Sequence, residues 1–172
     1  MTVSPTPPSG LSHSKTSKTG LMQGKKGLIM GVANDRSIGW GIASAAAGQG
    51  AELAFTYQGD ALKKRVNPLA ASVGSDMVLP CDVSDETSVD LVFNSLKEKW
   101  GKLDFLVHAI AYSDKEELKG GYVDTTRENF QKTMDISVYS FTALAKRAAE
   151  IMPDGGSLLT MTYYGAERVM PH

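Results

Sequence analysis

The stretch GLIMGVANDRSIGWGIASAAAGQGAELAFTY, residues 27–57, carries a glycine-bearing turn from Gly31 to Gly39 ahead of a segment of helical composition. Small residues at Gly31, Ala33, Gly39 and Gly41 let a backbone approach a ligand closely, and Ser37 stands at the N-cap position of a helix starting at Ile38. Such a helix start offers unpaired N–H groups and the positive end of its dipole, which suits a pyrophosphate. The spacing is not G-x-G-x-x-G, and the turn is longer than that fingerprint allows. A strand-to-helix connection whose glycines serve packing is the competing reading.

Further candidates lie at the ends of later apolar runs. FTYQGD ends on Gln58, near where a dinucleotide fold usually places an acidic residue on the adenosine ribose. Glutamine still hydrogen-bonds a hydroxyl, and no Arg or Lys follows at once to take a 2′-phosphate, which favours NADH over NADPH. CDVSD offers Asp82 and Val83, an acceptor for an adenine amino group, with Asp85 as the cap of the next helix; Asp82 is equally an ordinary loop carboxylate. In HAIAYS, the run from Ile110 to Ser113 is small and apolar enough to lie against a flat ring, although Ile110 also suits core packing. His108, inside an apolar run, is expected to be a satisfied structural histidine. The single cysteine, Cys81, excludes an internal disulfide and a cysteine-based zinc site, and its flanks MVLPCDV predict a packed thiol.

The elements that must position these residues follow from periodicity. GLIMGV, AELAFTY, MVLPCDV, LDFLVHAIAY and SLLTMTYY are predicted strands. IGWGIASAAAGQ, DALKKRVNPLAASVG, DETSVDLVFNSLKEKWG and TRENFQKTMDISVYSFTALAKRAAEIM are predicted helices, with Gly50 as the stop of the first. In the third helix Val89, Val92, Phe93, Leu96 and Trp100 recur on one face. Apolar strands alternating with helices predict an α/β fold: a doubly wound parallel sheet of Rossmann type in three α/β/α layers, with ligands at the carboxyl ends of the strands.

With 172 residues, 42% of them hydrophobic, the chain is long enough for one well-filled core. A net charge of −1 with scattered lysines and arginines argues against a nucleic-acid or anionic-membrane partner. No apolar run approaches the roughly 20 residues of a membrane span, so a soluble, cytoplasmic protein is expected. Residues 1–22, rich in Ser, Thr, Pro and Lys, predict a disordered N-terminal extension, and residues 23–172 the dinucleotide-binding domain.

Taken together, GVANDRSIGWGIA, ELAFTYQ, CDVSD, VHAIAYS, MDISVYSF and above all TYYGAERVMPH resemble the bacterial enoyl-acyl-carrier-protein reductases of the short-chain dehydrogenase superfamily. The resemblance runs from about Gly24 to His172. Its most specific parts are the Gly-x5-Ser-Ile turn and the Tyr-x-Gly-Ala-Glu-Arg run after the fifth strand. It implies reduction of a trans-2-enoyl thioester, carried by an acyl carrier protein, with NADH as cofactor in fatty-acid elongation. By the same resemblance Gly31, Ser37 and Ile38 lie at the phosphates, Gln58 near the adenosine ribose, Asp82 and Val83 at the adenine, and Ile110 along the nicotinamide side. Ser113 falls at the substrate-contacting position, and Tyr163 matches the first of two active-site tyrosines. The implied chemistry is hydride addition to the β-carbon, with a tyrosine hydroxyl stabilising the charge on the thioester oxygen; Tyr163 would support substrate placement. A purely packing role for Tyr163 remains the alternative.

The family pattern places its principal tyrosine immediately after His172, followed by Met-Gly-x-Ala-Lys, whose lysine holds the nicotinamide ribose. The C-terminal part of the fold, including two further strands and a substrate-covering loop, is therefore expected to be missing from this chain. Two other readings compete. A 3-ketoacyl reductase would show a serine in place of Tyr163 and a short glycine motif. A non-catalytic dinucleotide-binding module would bind NADH without turnover. Members of the family are usually homotetramers, and the long helix from Thr126 to Met152 is the expected subunit contact.

Overall fold

The computed structural model describes residues 20–169; most of the expected N-terminal extension, and the last three residues, lie outside them. Of that extension Met22 is described: its N–H donates to the Gln49 carbonyl at 3.0 Å, and its side chain packs on the core.

Five strands, β1 (Lys26–Met30), β2 (Glu52–Tyr57), β3 (Met77–Pro80), β4 (Phe105–His108) and β5 (Ser157–Thr160), form a parallel sheet in the order β3-β2-β1-β4-β5. The chain winds outward from β1 through α1 (Ile38–Gly48) and α2 (Gly59–Ser72) to β3. It then crosses through α3 (Glu86–Trp100) to β4 on the other side of β1. This reversal makes the gap between β1 and β4 the topological switch point, where open α/β sheets bind ligands.

Alternation along the strands assigns side chains to two cores. Ile29, Phe55 and Val107 pack with Ala43, Val66 and Ala70 of α1 and α2. Leu28, Met30 and Leu106 pack on the opposite face with Val89, Val92, Phe93 and Leu96 of α3 and Leu144 and Ala148 of α5 (Ser140–Glu150). The expected doubly wound, three-layer α/β/α domain is what forms, and the apolar stripe foreseen on α3 is its buried face, with Trp100 half-buried at the end.

Local signals set the helix limits. Asp85 caps α3 by accepting from Thr87 N at 2.9 Å, and Gly101 ends it with φ +71. Gly50, with φ +92, follows α1; its N–H reaches the Ala47 carbonyl while Ala51 N reaches that of Ala46, a Schellman closure. The predicted helix from Thr126 to Met152 is instead α4 (Arg127–Met134), one π turn (Asp135–Tyr139) and α5. Thr126 caps it, accepting from Asn129 N, and the Ser140 hydroxyl donates to the Ile136 carbonyl at 2.6 Å beside the π turn.

Candidate active site

The site begins where β1 stops. Gly31 takes φ +90, and a Cβ built on it would stand 2.1 Å from the Ala109 carbonyl oxygen. Only glycine lets the ends of β1 and β4 run this close, with Ala109 N still donating to the Met30 carbonyl at 3.0 Å. Past this point the two chains part and a crevice opens along the carboxyl edge of the sheet.

The turn that follows is held by Asn34, whose side-chain oxygen accepts from Arg36 N at 2.8 Å and whose carbonyl accepts from the Ser37 hydroxyl at 2.7 Å. Ser37 occupies the N-cap position as expected, but its hydroxyl is committed to Asn34 and does not cap α1. Trp40 N and Gly41 N bond the Ser37 carbonyl, while the N–H groups of Ile38 and Gly39 make no hydrogen bond among the described residues. The first turn of α1 thus keeps two donors and the dipole's positive end for an anion.

Two cavities lie side by side here. One of about 440 Å3 is lined by Gly31, Gln58, Asp82, Val83 and Ile110, among others. The other, about 270 Å3, is lined by Gly31, Ser37, Ile38, Gly39, Ile110 and Tyr163 among others. Gly31, Ala109, Ile110 and Ala111 belong to both, so the two form one crevice centred on the β1–β4 switch point. Eight of the nine site residues expected from sequence meet in it. The ninth, Ser113, lies outside both cavities; its hydroxyl accepts from Asn129 Nδ2 at 3.1 Å. Tyr163 is 75% exposed at the rim of the smaller cavity.

The β2 and β3 ends are tied together, since Gln58 Nε2 donates to Asp82 Oδ2 at 2.8 Å. The other oxygen of Asp82 accepts from the Ser84 hydroxyl (2.6 Å) and the Ser84 N–H (3.0 Å). The Ser84 hydroxyl bond is the main reason that this carboxyl is held below its usual pKa; partial burial opposes the shift, and Ser84 N–H and Gln58 reinforce it. Asp82 is therefore an ionised, oriented group rather than a free loop carboxylate.

Cys81 is buried at the cavity wall, and desolvation pushes its thiol up to about 11, which makes it an inert packed thiol. His108 is fully buried, with Nδ1 3.0 Å from Thr160 Oγ1 and Nε2 2.8 Å from Ser140 Oγ. Desolvation lowers its pKa, so it stays neutral and ties β4 to β5 and α5.

Sequence reasoning missed the contribution of the helix opposite. Lys132 of α4 and Ile136 of the π turn line the larger cavity. Lys132 Nζ lies 3.1 Å from Asp114 Oδ1, 3.2 Å from the Tyr112 hydroxyl and 4.7 Å from the centre of its ring, and Tyr112 donates to Asp114 at 2.6 Å. Asn129, 3% exposed, accepts from Asp114 N at 2.9 Å. Ser137 accepts from Tyr112 N at 3.0 Å. These contacts clamp the segment after β4 to the helix and so fix Ala109–Tyr112 in the crevice. Only a polar face on the N-terminal half of that helix hinted at it.

In size and lining the crevice fits an extended dinucleotide: a helix start for the phosphates, Gln58 and Asp82 for a ribose and base edge, and Val83, Ile110 and Ile136 as apolar walls. The family model described as "Enoyl-(Acyl carrier protein) reductase" matches residues 31–172. The curated "Enoyl-[acyl-carrier-protein] reductase [NADH] 1" of Rhizobium meliloti is 67% identical over 154 residues, covering 90% of this chain and 57% of its own length. The solved reductase of Anaplasma phagocytophilum in complex with NAD is 59% identical with a TM-score of 0.86, covering 89% of this chain and 59% of that one. That of Bacillus cereus with NADP+ and an indole naphthyridinone is 42% identical with a TM-score of 0.85, covering 88% and 60%. This chain thus spans less than two thirds of the length of these relatives. The span matched by the family model takes in the whole crevice, from the Gly31 turn to Tyr163, and the chain belongs to the enoyl-(acyl carrier protein) reductase family.

Proposed function

We propose that this chain forms the cofactor-binding part of an NADH-dependent enoyl-acyl-carrier-protein reductase, which reduces a trans-2-enoyl thioester to the acyl thioester. The observation that carries the reading is the convergence of eight of the residues expected from sequence on one crevice at the switch point of the sheet. When bound there, NADH supplies the hydride. The N–H groups of Ile38 and Gly39 hold the pyrophosphate, Gln58 takes a ribose hydroxyl, Asp82 and Val83 border the adenine, and Ile110 forms the wall beside the nicotinamide. Tyr163, at the rim of the smaller cavity, orients the thioester, and Ser113 helps place the acyl chain from the adjoining segment.

The acyl carrier protein is the proposed donor of the substrate, and the cytoplasm the proposed compartment. A homotetramer is supported by Phe130, Met134, Val138 and Tyr139, which are exposed along α4 and the π turn. No helix among the described residues is long and apolar enough to cross a membrane.

The test is to follow NADH oxidation by the complete reductase polypeptide with a 2-enoyl thioester and with a 3-keto thioester. Turnover of the enoyl compound, with little of the keto compound, is expected. A preference for the keto compound would overturn the assignment.

A further inference from the structure

Of the solved relatives, one holds NAD and another NADP+. In the usual dinucleotide fold a carboxylate at the end of the second strand bonds the ribose hydroxyls and rejects a 2′-phosphate. Here that position is Gln58, which carries no charge. The carboxylate comes instead from the end of β3, because Asp82 reaches across and accepts from Gln58 Nε2 at 2.8 Å.

This bond has a chemical consequence. A carboxylate only accepts, so Gln58 must turn its amino group to Asp82 and keep Oε1 for the cavity. Oε1 makes no hydrogen bond among the described residues, and both residues line the larger cavity. A ribose 2′-hydroxyl donates to such an oxygen. A 2′-phosphate at neutral pH is largely doubly charged and has no proton to give; it would meet an acceptor backed by a negative charge. Ser84, through its N–H and hydroxyl on Asp82 Oδ1, stops the carboxylate from turning away. Nearby cations do not cancel this arrangement. Lys132 is paired with Asp114, and Lys63 sits 5.7 Å from the centre of the Tyr57 ring without lining the cavity.

We propose that Gln58 and Asp82 form one selectivity unit, in which β3 supplies the charge and β2 the oriented acceptor, admitting a nucleotide with a free 2′-hydroxyl and excluding its 2′-phosphate. The inference rests on the dinucleotide reading of the crevice. It predicts an unusual effect of Asp82→Asn. An asparagine amide that keeps its oxygen on Ser84 presents an amino group to Gln58, which must then flip and offer Nε2 to the cavity. The variant therefore gains a donor for phosphate where the wild type has none.

The experiment titrates wild type, Asp82→Asn and Gln58→Leu with NADH, NADPH, 5′-AMP and adenosine 2′,5′-bisphosphate, with thermal melts of each protein. Wild type is expected to bind NADH at least about 100-fold more tightly than NADPH. Asp82→Asn should lower that ratio at least about 10-fold, mainly by tighter NADPH binding, and the two adenosine nucleotides should follow the same trend. Gln58→Leu should weaken NADH several-fold while leaving NADPH weak, because the carboxylate remains; this variant carries the test should Asp82→Asn fail to fold. If the wild type binds neither dinucleotide, the reading of the crevice falls, and the inference with it. If NADH binds but Asp82→Asn leaves the ratio within about 3-fold of wild type, or Gln58→Leu binds NADPH more tightly, only the selectivity unit is refuted.

Discussion

Replacing Gly31 with alanine tests the geometry at the centre of the crevice. The new Cβ would stand 2.1 Å from the Ala109 carbonyl oxygen and 2.5 Å from its carbon, both backbone atoms of the neighbouring strand end. The residue would also have to hold φ +90, a conformation that costs a side-chain-bearing residue about 1–3 kcal/mol. Forcing an extra methyl into a tight contact typically adds about 1–3 kcal/mol. The expected loss is therefore about 2–6 kcal/mol out of the roughly 5–15 kcal/mol that holds a domain together. Relief requires Ala109 and Ile110 to move, and both line the two cavities, so nucleotide affinity should fall along with stability. Urea denaturation followed by circular dichroism measures the first effect, and an NADH titration the second. Gly41→Ala is the control. Nothing lies within 4 Å of its Cβ, the position is helical, and alanine should stabilise by about 0.5–1 kcal/mol. A loss below about 1 kcal/mol for Gly31→Ala, with NADH affinity intact, would refute the claim that this contact shapes the site.

Other perturbations follow from the same structure. His108 has its pKa lowered by burial, so the unfolded chain takes up its proton first: the contribution to stability is complete above the ordinary value of 6.5 and is lost as pH falls through it toward the folded value. Urea midpoints measured from pH 7.5 down to pH 5 should fall, and less steeply in His108→Gln; parallel curves would contradict this. Asn129→Ala leaves the Asp114 N–H without its partner and should cost about 1–3 kcal/mol while speeding hydrogen exchange around residues 112–118; unchanged exchange there would show that the clamp does not order the segment. Cys81, with its thiol raised to about 11 and 7% exposed, should react with a disulfide reagent only after denaturant is added. Fast labelling of the native protein would mean that the cavity wall opens.

The order of elements was legible because each strand and helix carries its own periodicity, and the parallel sheet follows from their alternation. The limits of the strands were not. LDFLVHAIAY reads as one apolar run, yet β4 stops at His108, and Ala109–Tyr112 leave the sheet to line the crevice. A cavity that receives flat rings needs walls as apolar as a strand, so composition does not separate the two. MVLPCDV and SLLTMTYY overran for the same reason, with β3 ending at Pro80 and β5 at Thr160. Gly31, Ser37, Gln58 and Asp82 were recognisable because turn and strand-end chemistry is local. The Gln58–Asp82 bond joins residues 24 apart, and the clamp on Tyr112 and Asp114 depends on a helix side chain 18 residues past Asp114. Such pairings arise from sheet order and helix docking, which a single sequence does not display. Ser37 shows the limit of local rules, since a residue at a good N-cap position spends its hydroxyl on Asn34 instead.

The most direct test of the account is hydrogen exchange of the purified protein with and without saturating NADH. The crevice described above predicts protection on binding in four separate segments: the Gly31–Gly39 turn, Thr56–Gln58, Asp82–Ser84 and Ala109–Tyr112. Binding that protects another surface, or no segment of these four, would contradict the placement of the cofactor and with it the reaction assigned to this fold.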